Sequence, residues 1–314
     1  MRRSQALLLF ALASTMWLGC NKAKSDSVRL TNQGMNALGA SDPRGALGYF
    51  QQAVDTFPDN ATAHYGAGLS LRELEQEDRA HRHLQEAVRL DPELAEAHYQ
   101  LAELAVRRSI TAEGEGDRDL AQESIQDAEQ SLRRVLELDG SHSASYAHMG
   151  WVHEQKGALK DAEIAYRRAV TLDPYQPKVF LDLSRLYTRV QATDEAMAVL
   201  QEGLRHNTAA RVRSLPALSL LHNELGAMLQ DRGQYGQAID ELRKALPGAS
   251  PAVVFNLGWA YASMGDPELA NRFFNQYVGL VSPDEPTAAV ARDVSRHLRK
   301  RLEEGKGPGD PSGP

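Results

Sequence analysis

The sequence predicts an all-α protein made of consecutive helical hairpins, and the main reason is a repeat of 34 residues. Four pairs of identical residues are separated by this distance: Gly34 and Gly68, Ala46 and Ala80, Ala53 and Ala87, and Pro58 and Pro92. The same pattern returns from Gly150 to Pro174 and from Gly258 to Phe274. Such a period is typical of solenoids, in which each repeat packs on its neighbours.

Each repeat contains two segments with helical apolar spacing, separated by a polar turn. A small residue recurs in the first helix and an alanine recurs in the second, which favours close approach of the two. Glycine inside a helix costs about 1 kcal/mol relative to alanine, so its recurrence indicates a packing constraint. A large residue follows at equivalent places: Phe50, Leu84, Leu132, Tyr166, Leu200, Leu242 and Phe274.

These residues, at these spacings, resemble the tetratricopeptide repeat, which has Gly or Ala at its eighth place, Ala at its twentieth and Pro near its thirty-second. The resemblance covers residues 27–283. It implies a right-handed superhelical solenoid of about seven helix-turn-helix repeats. The repeats begin near Ser27, Ala61, Ala95, Ser143, Pro177, Ser219 and Pro251.

Two segments interrupt the period. The third repeat reaches its second-helix alanine at Ala128, 14 residues late, so we place an insertion at residues 109–122. We expect an acidic loop over Thr111–Gly116 there, followed by an over-long helix to Leu138. Residues 208–217 form a second interruption, a joint where Ser214 and Pro216 favour the start of an extended helix. Each interruption is either a tolerated surface insertion or a partner contact.

Residues 284–304 predict a final helix that caps the array, because solenoids need a polar outer face at their ends. Val290, Val294, Leu298 and Leu302 form its apolar stripe. Its basic residues are either the solvated side of the cap, near a helix C-terminus, or a contact for an anionic partner or lipid. Residues 305–314 are rich in Gly and Pro and predict a disordered tail.

The N-terminus has the layout of a signal peptide over residues 1–19. Arg2 and Arg3 precede an apolar stretch at residues 6–18, which is shorter than the ~20 residues that a membrane-spanning helix needs. The end of this stretch resembles the lipobox of bacterial lipoproteins, because Gly19 precedes Cys20. Trp17 departs from the aliphatic residue that the family prefers. The resemblance implies lipidation of Cys20, with palmitate among the acyl chains, and residues 20–26 as a short polar tether.

The cysteine content also bears on whether the protein is lipidated. Cys20 is the single cysteine, so an exported form has no internal disulfide, and lipidation would consume the free thiol. Asn21 is not acidic, which in the lipoprotein family favours the outer membrane over inner-membrane retention. The alternative is an ordinary secretory signal with an incidental cysteine, which would leave a soluble periplasmic protein.

The composition argues against nucleic-acid binding and against catalysis. The formal net charge is -7, whereas phosphate contacts need a concentrated basic surface. The histidines match no zinc or metalloprotease spacing, and no phosphate loop or nucleophile elbow occurs. We therefore predict no catalytic residue, no metal site and no cofactor. His64 and His98 hold the fourth places of successive repeats, where we expect them to replace bulky packing residues.

In tetratricopeptide repeats the concave groove is lined by places two, five, nine and twelve of the first helix. Carried onto this sequence, those places give the candidate partner-binding residues Tyr65, Leu69, Tyr99, Glu103, Trp151, Leu181, Arg185, Asn223, Phe255 and Trp259. An aromatic lining suits an extended or helical peptide held by apolar anchors. The alternative places Trp151 and Trp259 in the core between repeats.

Together these features predict a non-enzymatic scaffold, lipid-anchored at the bacterial cell envelope and facing the periplasm. It would recruit or assemble proteins of a secretion, pilus, motility or outer-membrane machine. In this it resembles outer-membrane repeat lipoproteins such as pilotins and assembly factors. The alternative function is that of a soluble periplasmic, co-chaperone-like binder of unfolded or extended polypeptides.

Overall fold

The computed structural model describes the backbone of residues 2–208, 215–248 and 250–304, and the side chains of residues 21–208, 216–247 and 250–304. Within these ranges the chain forms fifteen α-helices and one short 3-10 helix, without a strand. It divides into two compact units, an N-terminal unit of residues Met1–Gln155 and a C-terminal unit of residues Lys156–Pro314.

The N-terminal unit contains seven helices, each packed against the next in the chain. They are α1 (Arg2–Gly39), α2 (Pro43–Thr56), α3 (Ala61–Glu73), α4 (Glu77–Leu90), α5 (Ala95–Glu115), α6 (Arg118–Leu138) and α7 (Ser143–Gln155). The hairpins α1–α2, α3–α4 and α5–α6 follow one another, and α1 also contacts α3. The first helices of the first two hairpins therefore touch directly.

The C-terminal unit contains eight α-helices in the same kind of succession. They are α8 (Leu159–Leu172), α9 (Pro177–Arg189), α10 (Thr193–His206), α11 (Leu215–Asp231), α12 (Tyr235–Ala245), α13 (Pro251–Met264), α14 (Pro267–Val278) and α15 (Pro286–Glu303), with the 3-10 helix at Leu246–Gly248. The last helix, α15, packs on α14. The predicted all-α array of helical hairpins with a final capping helix is confirmed.

Prolines set the ends of several helices as the repeat predicts. α2, α4 and α8 each end two residues before a proline, at Pro58, Pro92 and Pro174 respectively. The residue before proline disfavours helical backbone angles, so it is the first residue left out of the helix. The second helix of each of these hairpins therefore stops at the same place in its repeat.

The ring of Phe50 shows why the first helix of a hairpin carries glycine. Phe50 lies on α2 and is fully buried. A Cβ atom added at Gly34 on α1 would lie 2.6 Å from its Cε1, and one added at Gly66 on α3 would lie 2.3 Å from the same atom. Separations this short cannot be accommodated without movement, so the absence of a side chain on α1 and α3 makes room for the ring.

The insertion in the third repeat differs from the prediction. The acidic loop expected over Thr111–Gly116 is wrong, because α5 continues to Glu115 and turns at Gly116, whose φ is 82°. α5 and α6 each have 21 residues, whereas α3 has 13 and α4 has 14. Buried Ala112 and Ala121 allow the two extensions to pack together. The insertion thus lengthens both helices of the hairpin.

Three features of the sequence fall partly or wholly outside the described residues. They are the side chain of Cys20, most of the joint at 208–217, and the tail at 305–314. Where the joint ends, α11 starts at Leu215, four residues before the expected start of the sixth repeat at Ser219. Among the helices whose residues are described, none has both the length and the apolarity to cross a membrane.

Candidate protein-binding surfaces

In the N-terminal unit, the candidate groove residues come from three first helices. Tyr65 and Leu69 lie on α3, Tyr99 and Glu103 on α5, and Trp151 on α7. All five are partly buried, so each keeps some surface for a partner. Partial burial is what a groove residue needs, because its backbone side is packed while its outer side can exchange water for a ligand.

Contacts between α3 and α5 join two of these helices into one polar surface. Arg72 at the end of α3 forms an ion pair with Glu103, 2.5 Å between Nη1 and Oε2, and also donates to Gln100. The side chains of this pair are about one quarter exposed, 23% and 26%. The carboxylate of Glu103 is therefore matched by a neighbouring cation, and this surface is less acidic than Glu103 alone suggests.

Sequence reasoning missed Arg72, although a signal for it exists. Counted from Ala61, Arg72 holds the twelfth place of the second repeat, one of the four places used to choose the other groove residues. The pattern identifies the position, but its pairing with Glu103 in the next repeat depends on the distance between α3 and α5. That distance is not encoded in the period.

Tyr99 is the best-positioned aromatic residue of this surface. Its ring centroid lies 4.8 Å from that of His142 and 5.6 Å from that of His148, and its hydroxyl donates to Glu103 over 3.4 Å. Burial and the negative charge of Glu103 raise the pKa of Tyr99, so the phenol stays neutral and remains a donor. The two histidines, which the sequence analysis did not select, hold the ring between α5 and the start of α7.

In the C-terminal unit, the structure corrects two of the candidates. Leu181 is 3% exposed and Asn223 is 9% exposed, so neither side chain offers an accessible contact. Leu181 is among the buried residues of α9, and the side-chain oxygen Oδ1 of Asn223 accepts a hydrogen bond from Nδ2 of Asn256 at 3.0 Å. The hydrogen bond of Asn223 joins α11 to α13. Arg185, in contrast, is exposed.

An aromatic cluster on α13 and α14 is the most exposed apolar feature at the candidate places. Trp259 is 38% exposed, and its ring meets Phe274 edge to face, with centroids 5.5 Å apart. Phe255 lies 4.9 Å from Tyr277 and 6.2 Å from Trp259, again between centroids. Trp259 therefore packs against the core of its repeat on one side and faces solvent on the other.

The histidines that could suggest a metal site take part in packing and hydrogen bonding. His64 is 9% exposed; its Nε2 lies 3.1 Å from the carbonyl oxygen of Pro58, and its Nδ1 lies 3.2 Å from Nδ1 of His83. Burial lowers the pKa of both His64 and His83. In the described part of the chain, no group of three or more metal-ligating side chains comes together.

Comparison with known proteins identifies the repeat. Models described as tetratricopeptide repeat match residues 31–80, 113–177 and 252–280. No curated protein matches the sequence. The predicted resemblance to tetratricopeptide repeats is confirmed, and proteins built from them are protein-interaction scaffolds.

Several solved structures share the fold at low sequence identity. PilF of Pseudomonas aeruginosa is 19% identical, with 74% of this chain and 96% of PilF covered and a TM-score of 0.57. A tetratricopeptide repeat protein of Parabacteroides merdae is 13% identical, with 88% and 99% covered and a TM-score of 0.55. MamA of Desulfovibrio magneticus is 18% identical, with 58% and 94% covered and a TM-score of 0.50. These similarities show the fold.

Proposed function

Because the chain carries tetratricopeptide repeats, we propose that this protein is a lipid-anchored scaffold that assembles protein partners at the bacterial cell envelope. The observation that carries the binding half of the proposal is the set of partly exposed aromatic side chains at first-helix places, Tyr99 in the N-terminal unit and Trp259 in the C-terminal unit. Large aromatic residues supply much of the binding energy at protein interfaces.

The chemistry of each surface indicates the kind of segment it would bind. Around Tyr99 the surface combines an aromatic ring with the Arg72–Glu103 pair, which suits a polar peptide that can hydrogen-bond to both. Around Trp259 the surface is mainly aromatic, with Phe255 beside it, which suits an apolar anchor residue. We propose that partners engage these two surfaces with different parts of their sequence.

The anchoring half of the proposal rests on the sequence of the N-terminus. A basic start, a short apolar stretch and Gly19-Cys20 support export followed by lipidation of Cys20. Several acyl chains would hold the protein on a membrane durably, whereas one alone binds weakly. The non-acidic Asn21 supports the outer membrane as the destination, with the repeats in the periplasm.

The anchor is tested by replacing Cys20. We expect Cys20→Ala to lose incorporation of labelled palmitate and to move from the membrane fraction to the soluble periplasmic fraction. Ser25→Ala, at an exposed position of α1 five residues after the cysteine, serves as the matched control and should keep both properties. If Cys20→Ala remained in the membrane fraction, the lipid anchor would be refuted and an ordinary secretory route would have to be considered.

The binding surface is tested by Trp259→Ala, compared with Tyr49→Ala on α2. Both native side chains are 38% exposed, but Tyr49 is not at a groove place. After crosslinking in cells, Trp259→Ala should lose a defined partner that Tyr49→Ala retains. Recovery of one partner in fixed stoichiometry supports a scaffold, whereas a broad mixture of unfolded polypeptides supports the soluble co-chaperone alternative. Unchanged partners in Trp259→Ala would contradict the proposal.

A further inference from the structure

Two histidine side chains meet inside the α3–α4 hairpin. The Nδ1 atoms of His64 on α3 and His83 on α4 lie 3.2 Å apart. The ring centroids are 5.3 Å apart, and the ring planes are tilted by 38°. His64 is buried and His83 is partly buried, and neither holds a groove place in its repeat. The contact therefore lies apart from the residues proposed above to bind partners.

The neighbours of His64 determine which of its nitrogens carries the hydrogen. Nε2 lies 3.1 Å from the carbonyl oxygen of Pro58, which can only accept, so Nε2 is the donor. A neutral imidazole has one donor and one acceptor nitrogen, so Nδ1 of His64 must accept. Nδ1 of His83 is therefore the donor in the contact, and a single hydrogen lies between the two rings.

This pair can take up only one proton without losing its contact. The first proton can bind Nε2 of His83, which forms no hydrogen bond with another described residue, while Nδ1 of His83 continues to donate. A second proton must bind Nδ1 of His64, which would place two N–H groups and two positive charges against each other. The two rings therefore titrate as a coupled pair, and the second protonation is incompatible with the contact.

The surroundings of the pair also disfavour a second positive charge. Four charged side chains of α4 act on the two rings: Glu86 and Arg89 on His64, and Arg79 and Arg82 on His83. Glu86 and Arg89 pair with each other at 2.6 Å, and Asp59 in the α2–α3 turn also acts on Arg89. Together these charges are net positive. Burial is the largest influence, and it lowers the pKa of both histidines.

The sixth repeat has the opposite chemistry at the same two places. His222 and Glu241 hold places four and twenty-three there, as His64 and His83 do in the second repeat. Nδ1 of His222 lies 2.7 Å from Oε2 of Glu241. A proton added to His222 strengthens this contact, because it turns the hydrogen bond into an ion pair. Acid therefore acts on the two contacts in opposite directions.

We propose that the contact between His64 and His83 is a proton-controlled latch, which holds α3 against α4 at neutral pH and releases the two helices in acid. The second proton breaks the contact and leaves a charged ring in the buried space between the helices. A buried charge without a partner is unfavourable, so acid favours the open hairpin, in which water solvates both rings. The latch belongs to the hairpin itself and needs no bound partner.

The latch would regulate the N-terminal candidate surface. α3 carries Tyr65, next to His64, and Arg72, which forms an ion pair with Glu103 of α5. When α3 separates from α4, both side chains lose the support that positions them. A partner bound there would be released as the pH falls. This consequence rests on the proposed function, whereas the latch does not.

The size of the acid response follows from the ordinary titration of histidine. In the open hairpin each ring binds a proton with a pKa of about 6.5. The closed hairpin holds one proton fewer in acid, so opening becomes more favourable as the pH falls. From about pH 7.5 to about pH 5, this difference should lower the protection of α3 and α4 amides against hydrogen exchange about thirtyfold.

The test measures hydrogen exchange in the full chain by mass spectrometry, corrected for the intrinsic effect of pH on exchange. His83→Glu gives the second repeat the histidine–glutamate pair of the sixth, so its α3–α4 hairpin should lose no protection in acid. His81→Gln, two residues earlier on α4, is the matched control and should keep the native response. α13 and α14 contain no histidine and provide a reference within the same molecule.

His83→Gln covers the case in which His83→Glu misfolds. Its amide can donate to a neutral His64 or accept from a charged one, so this variant should also weaken the acid response. The proposal is overturned if the native α3–α4 hairpin loses no more protection than α13 and α14, or if both substitutions of His83 leave its response unchanged. Loss of the response in His81→Gln would also overturn it, because a different histidine would then be the source. Unchanged partners in Trp259→Ala would concern the proposed function alone, because hydrogen exchange is measured here without a partner.

Discussion

The substitution Gly66→Ala should destabilise the N-terminal unit, because the added methyl group would overlap the ring of Phe50. Its Cβ would lie 2.3 Å from Cε1 and Cζ of the ring and 2.8 Å from Cδ1. Phe50 is fully buried, and α1 also approaches the ring, at Gly34. The ring therefore cannot move aside without displacing a neighbouring helix.

Two opposing effects set the size of the change. Overpacking a core costs about 1 to 3 kcal/mol, and three overlapping ring atoms place this site in the upper half of that range. Replacing glycine by alanine inside a helix stabilises the helix by about 1 kcal/mol. We expect a net loss of about 1 to 2 kcal/mol in the free energy of unfolding.

Gly48→Ala on α2 is the matched control. No atom lies within 4 Å of the Cβ position at Gly48, so the substitution adds helix propensity without a clash. It should stabilise the protein by about 0.5 to 1 kcal/mol. Unfolding in urea, followed by circular dichroism at 222 nm, compares the two variants, and hydrogen exchange of α3 amides localises the effect in an array that can unfold in parts.

The reasoning would be refuted if Gly66→Ala were as stable as Gly48→Ala. It also predicts a rescue. Phe50→Leu shortens the side chain that meets the new methyl group, so Gly66→Ala together with Phe50→Leu should lose less stability than the sum of the two single substitutions. Additive losses would show that the two sites do not interact as the distances indicate.

Three further predictions concern capping and pH. Asp117 is the N-cap of α6, and its carboxylate accepts a hydrogen bond from the backbone N–H of Leu120 at 3.1 Å. Asp117→Ala should lower the free energy of unfolding by about 1 kcal/mol and speed hydrogen exchange at the start of α6. Unchanged exchange would contradict this. Burial lowers the pKa of His64, so folding favours the neutral ring; this stabilisation is present above pH 6.5 and is lost as the pH falls below it. His64→Gln should show a weaker pH dependence in thermal melts between about pH 5.5 and 7.5, one unit on either side of the pKa of an ordinary histidine. An NMR titration midpoint of His64 above 6.5 would refute this. The hydrogen bond from His222 lowers the pKa of Glu241, which stabilises the fold above pH 4.5; this stabilisation is lost as the pH falls through the pKa of Glu241 in the folded state. Glu241→Gln should therefore be less stable than the native chain at neutral pH, and the difference in stability should shrink in acid. A difference that stays constant with pH would exclude the His222 contact as the source of the stabilisation.

The parts of the fold that the sequence could predict are those encoded within one period. Gly34 and Phe50 belong to the same repeat, and the need for a small residue opposite a large one recurs at each hairpin. Because this rule is local and repeated, the pairing of small and large residues can be predicted from the sequence without knowing how neighbouring helices are spaced. The helix ends before Pro58 and Pro92 follow from the same local logic.

The candidate surfaces were harder to predict because exposure depends on more than place in the repeat. Leu181 holds a groove place, but α9 buries it, whereas Trp259 at another such place remains exposed. The ion pair between Arg72 and Glu103 joins two repeats and depends on the distance between α3 and α5. A period identifies which residues share a place, while the side chains around each place decide which of them a partner can reach.

The prediction of an acidic loop was wrong because α5 continues through Gly114 to Glu115. A single glycine inside a helix costs about 1 kcal/mol, which the packing of buried Ala112 and Ala121 on the facing helices can offset. Gly116 instead provides the left-handed residue that ends α5, and Asp117 begins the next helix as its N-cap.

The lengthened α5–α6 hairpin has a consequence for how this array can change over evolution. α5 is eight residues longer than α3 and α6 is seven residues longer than α4, so each extension is about two turns. The seven residues added to α6 rotate the following ones by only about 20°, so the side chains of α6 beyond the extension keep nearly their original direction. A hairpin of this kind can grow or shrink in steps of two turns while the neighbouring repeats keep their contacts. The array can therefore acquire a projection, and lose it again, without redesigning its core.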